Sequence, residues 1–316
     1  MPIVTPGRLR VLLVGLGRAA ALMAGALAER DDASIVAAVD PLGKEAEAAA
    51  SLSSEATIYP VLASASGEFD LAIVATPTPT HVEVCTELLT RERPPPRVLC
   101  EKPLSDSFAP VPALLDLAHQ RGVRLQVLFH YAFAPEVLAV RSAWDSLIAS
   151  HGPPADFDVF FADPRSGDLP RSVRVLGSSW VDLGVNALSV LARYLELVEV
   201  EAALGQPPAS GGAAIRFAGG TGSVRTNWCV PAMVKQTTIR FADGSTLDFD
   251  HTDQRAVVRG EKGLTVLHER IDDDVAAARY RRMVSAHFDG DELVYDTETI
   301  LGVHRLLASG VRMDQR

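Results

Sequence analysis

Three groups of residues have types and spacings suited to chemistry. The first is Val14-Gly15-Leu16-Gly17-Arg18-Ala19-Ala20, which follows an apolar run and opens an alanine-rich stretch. It fits G-x-G-x-x-G/A with Ala20 in the last place. Glycines there let the backbone approach a pyrophosphate, and the N–H groups at a helix start bind the anion. Asp40 ends the next apolar run, where a carboxylate hydrogen-bonds the ribose hydroxyls of an adenine dinucleotide. It also repels a 2′-phosphate, so NAD is favoured as cofactor, while Arg18 keeps NADP open.

The second group is Ala75-Thr76-Pro77-Thr78-Pro79-Thr80-His81 together with Cys100-Glu101-Lys102-Pro103-Leu104. Each follows a strand-like run, so both fall at the carboxyl edge of a parallel sheet, where open α/β folds place their ligands. The third is Asp182 and Asn186, four apart and therefore on one face of a helix start.

The elements that must position these groups alternate through the first part of the chain. Strand-like runs at Leu9–Leu16, Ser34–Val39, Asp70–Val74, Arg97–Cys100 and Arg124–Phe129 are separated by helical patterns at Ala19–Arg30, Lys44–Leu52, Thr80–Leu89 and Val111–Arg121. This predicts a doubly wound parallel sheet over residues 1–128. From residue 129 to 316 the rhythm changes to an α+β domain. Helical patterns at Pro135–Ser150 and Asp182–Leu195 flank short strands at Phe157–Phe161, Glu199–Leu204, Ala213–Phe217, Ser223–Cys229, Gln236–Phe241, Ser245–Asp250, Ala256–Arg259 and Leu264–Leu267. Turn signals between them predict a large, mainly antiparallel sheet. Two helices, Asp273–Phe288 and Thr297–Ser309, follow, and can pack back on the first domain.

Composition narrows the class. The 316 residues are 47% hydrophobic and 22% charged, with a net charge of −10. An acidic chain is a poor partner for nucleic acid, and the basic clusters Arg91/Arg93 and Arg279/Arg281/Arg282 read as solvated helix surface. The three cysteines form no CxxC pair, no histidine–acid set has metal spacing, and no apolar run reaches a membrane-spanning length. We expect a cytoplasmic protein with no export signal, metal, membrane or nucleic-acid partner. Apolar alternation at Ile215/Phe217, Val224, Ile239/Phe241 and Leu247/Phe249 suggests an open sheet face, and so a homodimer or homotetramer through the second sheet.

The segments GLGRAA, ATPTPTH and CEKPL, with the later Gly177-to-Ser189 segment carrying D-x-G-x-N, resemble the Gfo/Idh/MocA oxidoreductase family in the same order along the whole chain. The resemblance implies an N-terminal Rossmann domain and hydride exchange between NAD(P) and a sugar-like carbon. It puts Lys102 beside the nicotinamide and the substrate oxygen, with Glu101 as its structural partner and Pro103 preceded by a cis bond. Thr76 and Pro77 line the nicotinamide ribose, and Thr80 and His81 complete that loop.

Where the family carries histidine and a later acid, this chain has Asn186 and Ser189. Asparagine takes no proton at neutral pH, so the proton falls to Asp182, Lys102 or water. Asn186, with Phe129-His130-Tyr131 and the tail from Ala278 to Leu306, resembles the aldose 1-dehydrogenases acting on L-arabinose and D-galactose. That implies oxidation at C1 to a lactone, with Asp182 as base. His130, Tyr131, Asp163, Arg165 and Trp180 are further candidates for the substrate site. Several plainer roles compete: Asp182 as a helix cap, Asn186 and His130 as satisfied core residues, Trp180 as packing. His287 and His304 read as surface or packing residues. Two alternatives to the dehydrogenase stand: a biosynthetic reductase of a keto-sugar, ketone or imine, and a dinucleotide-binding sensor without turnover.

Overall fold

The computed structural model describes residues 8–43, 46–261 and 263–312. The chain divides into two compact units. One comprises Met1–Ser105, Ala109–Leu128 and Met283–Thr297, the other Asp106–Phe108, Phe129–Arg282 and Glu298–Arg316.

The first unit is built on six strands: β1 (Leu9–Val14), β2 (Ala33–Val39), β3 (Thr57–Tyr59), β4 (Leu71–Val74), β5 (Arg97–Glu101) and β6 (Arg124–Leu128). They pair in parallel in the order β3-β2-β1-β4-β5-β6. Val11–Val14 and Leu71–Val74 are buried throughout, the continuous apolar character of strands covered on both faces. Helices α1 (Arg18–Ala28), α2 (His81–Thr90) and α3 (Pro110–Gln120) form the crossovers. The register aligns the strand ends: Val14 pairs with Val39 and Val74, Val74 with Cys100, and Glu101 with Leu128. Gly15, Asp40, Ala75 and Lys102 therefore emerge along one edge, where the strand order reverses and such sheets bind ligands.

One helical expectation fails here. Lys44 and the next residue lie outside the described residues, and Ala46–Leu52 holds only a 3-10 turn at Ala49–Ser51. Ala48 is fully buried, and its N–H donates to the Leu16 carbonyl, so tertiary contact overrides an alanine-rich helical preference. The short β3 also goes beyond the sequence reading.

The second unit carries α4 (Pro135–His151), β7 (Pro154–Pro164), α5 (Leu169–Leu176), a π-turn at Trp180–Gly184 leading into α6 (Val185–Leu191), and seven further strands. These are β8 (Leu197–Leu204), β9 (Ser210–Phe217), β10 (Gly220–Asn227), β11 (Cys229–Phe241), β12 (Thr246–Asp250), β13 (Arg255–Gly260) and β14 (Gly263–His268). Their order is β14-β13-β12-β11-β7-β10-β9-β8, antiparallel except where β10 runs parallel to β7. Helices α7 (Val275–Asp289) and α8 (Thr297–Arg312) end the described chain.

The apolar face of this sheet corrects a second expectation. Ile215, Phe217, Val224, Ile239, Phe241, Leu247 and Phe249 are all buried inside the unit. Trp144 of α4 packs on Phe241 and Tyr194 on Phe249, with ring centres 6.0 and 5.8 Å apart. The opposite face carries cross-strand ion pairs instead: Arg216–Glu199, Arg225–Asp158, Arg240–Asp156 and Arg259–Asp248. The apolar alternation is therefore no argument for a homodimer or homotetramer.

Trp180 is 2% exposed, and its indole N–H donates to the Leu307 carbonyl at 2.7 Å. Its ring occupies space left by glycines. A Cβ added to Gly184 or Gly310 would meet the ring at 2.7 Å, and one added to Gly211 would meet the Trp180 Cβ at 2.8 Å. This is the environment of a packing tryptophan rather than a sugar-stacking wall. Gly184→Ala is expected to destabilise the protein by about 1–3 kcal/mol through overpacking, read as a lowered midpoint in chemical denaturation.

Candidate active site

On the first unit, the loop after β1 is shaped by two glycines with different tasks. Gly15 has φ +88°, and a Cβ there would lie 2.6 Å from the Ala75 carbonyl oxygen. Only glycine combines that backbone conformation with that approach. Gly17 has nothing within 4 Å of its Cβ position and immediately precedes α1. That leaves an open cradle where an anion meets the first helical N–H groups, which fits a pyrophosphate. Arg18 is exposed beside it, Ala19 is half-buried, and Ala20 is fully buried.

Asp40 ties β2 to this loop. Its Oδ2 accepts the Leu16 N–H at 2.8 Å and its Oδ1 the Leu42 N–H at 2.9 Å. Each oxygen keeps a lone pair for a ribose hydroxyl. The backbone bonds hold the carboxylate at the strand end.

His81, 1% exposed, bridges the loops after β4 and β5. Its ring nitrogens lie 2.7 Å from the Pro103 carbonyl and 2.8 Å from the Thr76 carbonyl. Its role is thus to position Thr76 and the Lys102–Pro103 peptide, which is cis. Thr80 Oγ1 sits 2.9 Å from Thr76 Oγ1 and 2.8 Å from the Pro77 carbonyl, closing the same turn. Pro77 is exposed. Glu101 is buried, and its carboxylate accepts the Lys102 N–H at 3.1 Å. Lys102 itself is half-buried.

On the second unit, Asp182 lies inside the π-turn, an irregularity frequent at functional sites. The cap positions of the π-turn and of α6 are Ser179 and Gly184, so the Asp182 carboxylate caps neither. Asp182 is 5% exposed, with Arg165 Nη2 3.6 Å from its Oδ2. Asn186 is 3% exposed. Its Nδ2 donates to the Asp182 carbonyl at 3.1 Å, and its buried Oδ1 has no donor among the described residues. A buried acceptor in that state is costly unless a ligand satisfies it. Ser189 Oγ donates to the Asn186 carbonyl, so the family's later acid is replaced by a residue serving the helix backbone.

Arg165 also approaches Asp163 at 3.4 Å, and Asp163 accepts from Lys235 Nζ at 2.6 Å. Lys235 went unnoticed in the sequence. It is 4% exposed, and its Nζ lies 5.5 Å from the Tyr131 ring centre. Burial pulls its pKa down, but the charges and hydrogen bonds of Tyr131 and Asp163 outweigh this and leave it raised. It stays an ammonium ion at neutral pH and is no general base. The signal was available: counting back by twos from the buried Ile239 and Thr237 brings Lys235 to the same inward face.

His130 stacks on Tyr280, with ring centres 5.0 Å apart, and touches Tyr131. His304 packs on Phe129, and His287 faces Gln126; both histidines are buried, not surface. A cavity of about 490 Å³ in this unit is lined by Asp106, Gly177, Trp180, Pro207, Gly211 and Gly310 among others. Neither Asp182 nor Asn186 lines it. Among the described residues no group of His, Cys, Asp or Glu is placed to hold a metal ion, and no helix is long and apolar enough to cross a membrane.

Comparison with known proteins places this geometry. Residues 9–129 match the oxidoreductase family with an NAD-binding Rossmann fold, Gfo/Idh/MocA. The rhizopine catabolism protein MocA of Rhizobium meliloti is 31% identical over 139 residues, covering 42% of this chain and 41% of that protein. An inositol 2-dehydrogenase of Rhizobium meliloti (strain 1021) is 32% identical over 135 residues, covering 42% and 39%. The matches thus span about two fifths of the length of these curated relatives.

Similarity of fold extends further. GenD2 from gentamicin A biosynthesis, solved with NAD, has a TM-score of 0.78 at 22% identity, covering 98% of this chain and 95% of that one. An oxidoreductase from Agrobacterium radiobacter, solved with NAD+, L-tartaric acid and magnesium, has a TM-score of 0.78 at 17% identity, covering 98% and 97%. A myo-inositol dehydrogenase from Corynebacterium glutamicum ATCC 13032 has a TM-score of 0.75 at 19% identity with the same coverage. Over residues 9–129, with their glycine loop, Asp40 and the Lys102 segment along one sheet edge, the chain thus matches the Gfo/Idh/MocA family of NAD-binding oxidoreductases, and beyond that segment the similarity is one of fold.

Proposed function

We propose that the protein is an NAD-dependent dehydrogenase or reductase acting at a carbon that carries a hydroxyl or carbonyl in a sugar-like small molecule. The observation that carries this reading is the alignment of Gly15, Asp40, Thr76 and Lys102 along one edge of an NAD-binding sheet. The open space at Gly17 and the fixed Asp40 carboxylate suit a dinucleotide with a free 2′-hydroxyl, and Asp40 opposes a 2′-phosphate. When bound, the nicotinamide supplies the hydride acceptor or donor.

The chain's own residues would do the rest. Lys102, on the first unit, would donate a hydrogen bond to the reacting oxygen, as the resemblance implies. Asp182 takes the hydroxyl proton in the oxidative direction, with Arg165 facing its carboxylate. Asn186 Oδ1 accepts from a neighbouring hydroxyl, which satisfies its buried lone pairs. Substrate classes to try first are free aldoses oxidised at C1 and, from the names of the relatives, inositols. Three free cysteines, two of them buried, fit a reducing cytoplasmic setting.

The test is NADH absorbance with NAD, then NADP, against both panels. A rise with one substrate and NAD establishes the reaction. A flat trace despite tight NADH binding moves the reading to a reductase of another carbonyl or imine, or to a sensor.

A further inference from the structure

Among the described residues, the buried Arg279 of the second unit faces no counter-charge. Arg279, on α7, is 7% exposed, which corrects its reading as solvated surface. Its neighbours Arg281 and Arg282 reach Asp272 at 3.7 and 3.3 Å. Arg279 instead makes neither a hydrogen bond nor an ion pair among the described residues, and its Nε is buried without an acceptor. Its guanidinium lies 4.2 Å from the centre of the Tyr131 ring. Arginine does not escape this position by losing its proton. A cation–π contact offsets only part of the lost hydration.

The same Tyr131 ring has Lys235 5.5 Å away, and from Lys235 a chain of charges runs through Asp163 and Arg165 to Asp182. Along this chain Lys235 faces Asp163, and Arg165 faces both Asp163 and Asp182, whereas Arg279 faces no carboxylate among the described residues. Glu136, also fully buried, is engaged with His251 at 2.8 Å and forms no ion pair with Arg279. A neutral polyol leaves this guanidinium bare. A monoanion balances it, and a planar carboxylate matches its donor fork.

We infer that the substrate is a hydroxy acid whose carboxylate is bound by Arg279, with Lys235 on the same Tyr131 ring, while Asp182 and Asn186 engage hydroxyl groups. This rests on the redox reading above and names its substrate class.

The test is calorimetric titration of the full chain saturated with NADH, using matched pairs that differ in one or more carboxylates. These are D-galacturonate and D-galactose, D-glucuronate and D-glucose, D-gluconate and D-glucitol, and L-tartrate and L-threitol. At least one acid is expected to bind about tenfold or more tightly than its neutral partner. Arg279→Met is expected to abolish that preference with NADH affinity unchanged and the melting temperature held or raised, and Arg281→Met to preserve it. The inference is overturned if no acid outbinds its partner, or if Arg279→Met keeps the preference.

Should Arg279→Met fail to fold, the wild-type pairs still decide, together with Arg279→Lys, which keeps the charge, loses the fork and should weaken the preference. Turnover is read separately. An acid bound through Arg279 but never oxidised or reduced removes the redox reading and leaves only the carboxylate site at Arg279. A neutral substrate turned over at full rate in Arg279→Met does the reverse.

Discussion

Replacing Asp182 with asparagine is expected to lower kcat by about 10²–10⁴-fold, the contribution of a positioned general base, with NADH affinity unchanged. The substitution is isosteric, and the bond that orders the neighbouring helix start is retained, because Asn186 Nδ2 donates to the Asp182 backbone carbonyl and not to its side chain. Arg165 loses one of its two carboxylate partners, keeps Asp163 at 3.4 Å, and is 37% exposed at its side chain and so can be rehydrated, so the melting temperature should move little. Steady-state kinetics on the substrate found by the NADH assay, with a denaturation curve alongside, separates the two effects. If Asp182→Asn keeps most of kcat, the proton passes to Lys102 or water, and Asp182 is not the base. Substitution of Asn186 by alanine should act differently, raising KM more than it lowers kcat, because its free Oδ1 binds a hydroxyl that does not react.

Much of the first unit was legible because its signals are local. An all-apolar strand such as Val11–Val14, a glycine pair and a strand-ending acid specify a strand–loop–helix unit almost without reference to the rest. The false helix over Lys44–Leu52 shows the limit. Alanine favours helix weakly, and burial of Ala48 against Leu16 decided otherwise. In the second unit, period-two alternation identified which residues share a sheet face. It carried no information on what covers that face, and Trp144 and Tyr194 of the same unit do.

Charge was the least legible feature. Arg279 shares a sequence cluster with Arg281 and Arg282, yet helical spacing places it with the buried Met283 and Ala286. Lys235 sits at an inward strand position that hydropathy alone does not flag. Each ends up beside Tyr131 through long-range packing.

The two loop glycines should respond to the same substitution in opposite ways. Gly17→Ala adds a methyl group where no protein atom lies within 4 Å, at a φ of −84° that any residue adopts. Stability should stay within about 0.5 kcal/mol of wild type. The methyl group occupies the approach reserved for the pyrophosphate, so NADH affinity should fall by about tenfold or more. Gly15→Ala meets the Ala75 carbonyl at 2.6 Å and forces alanine to φ +88°. The backbone conformation alone costs about 1–2 kcal/mol, and the carbonyl belongs to the backbone next to β4 and cannot rotate away as a side chain would. This variant should lose stability and NADH binding together. NADH fluorescence titration and thermal denaturation of both proteins give the comparison. A Gly17→Ala protein that binds NADH as wild type does would mean that the loop is only a tight strand–helix turn. Normal stability in Gly15→Ala would mean that the β1 loop does not press on the Ala75 carbonyl as the geometry requires.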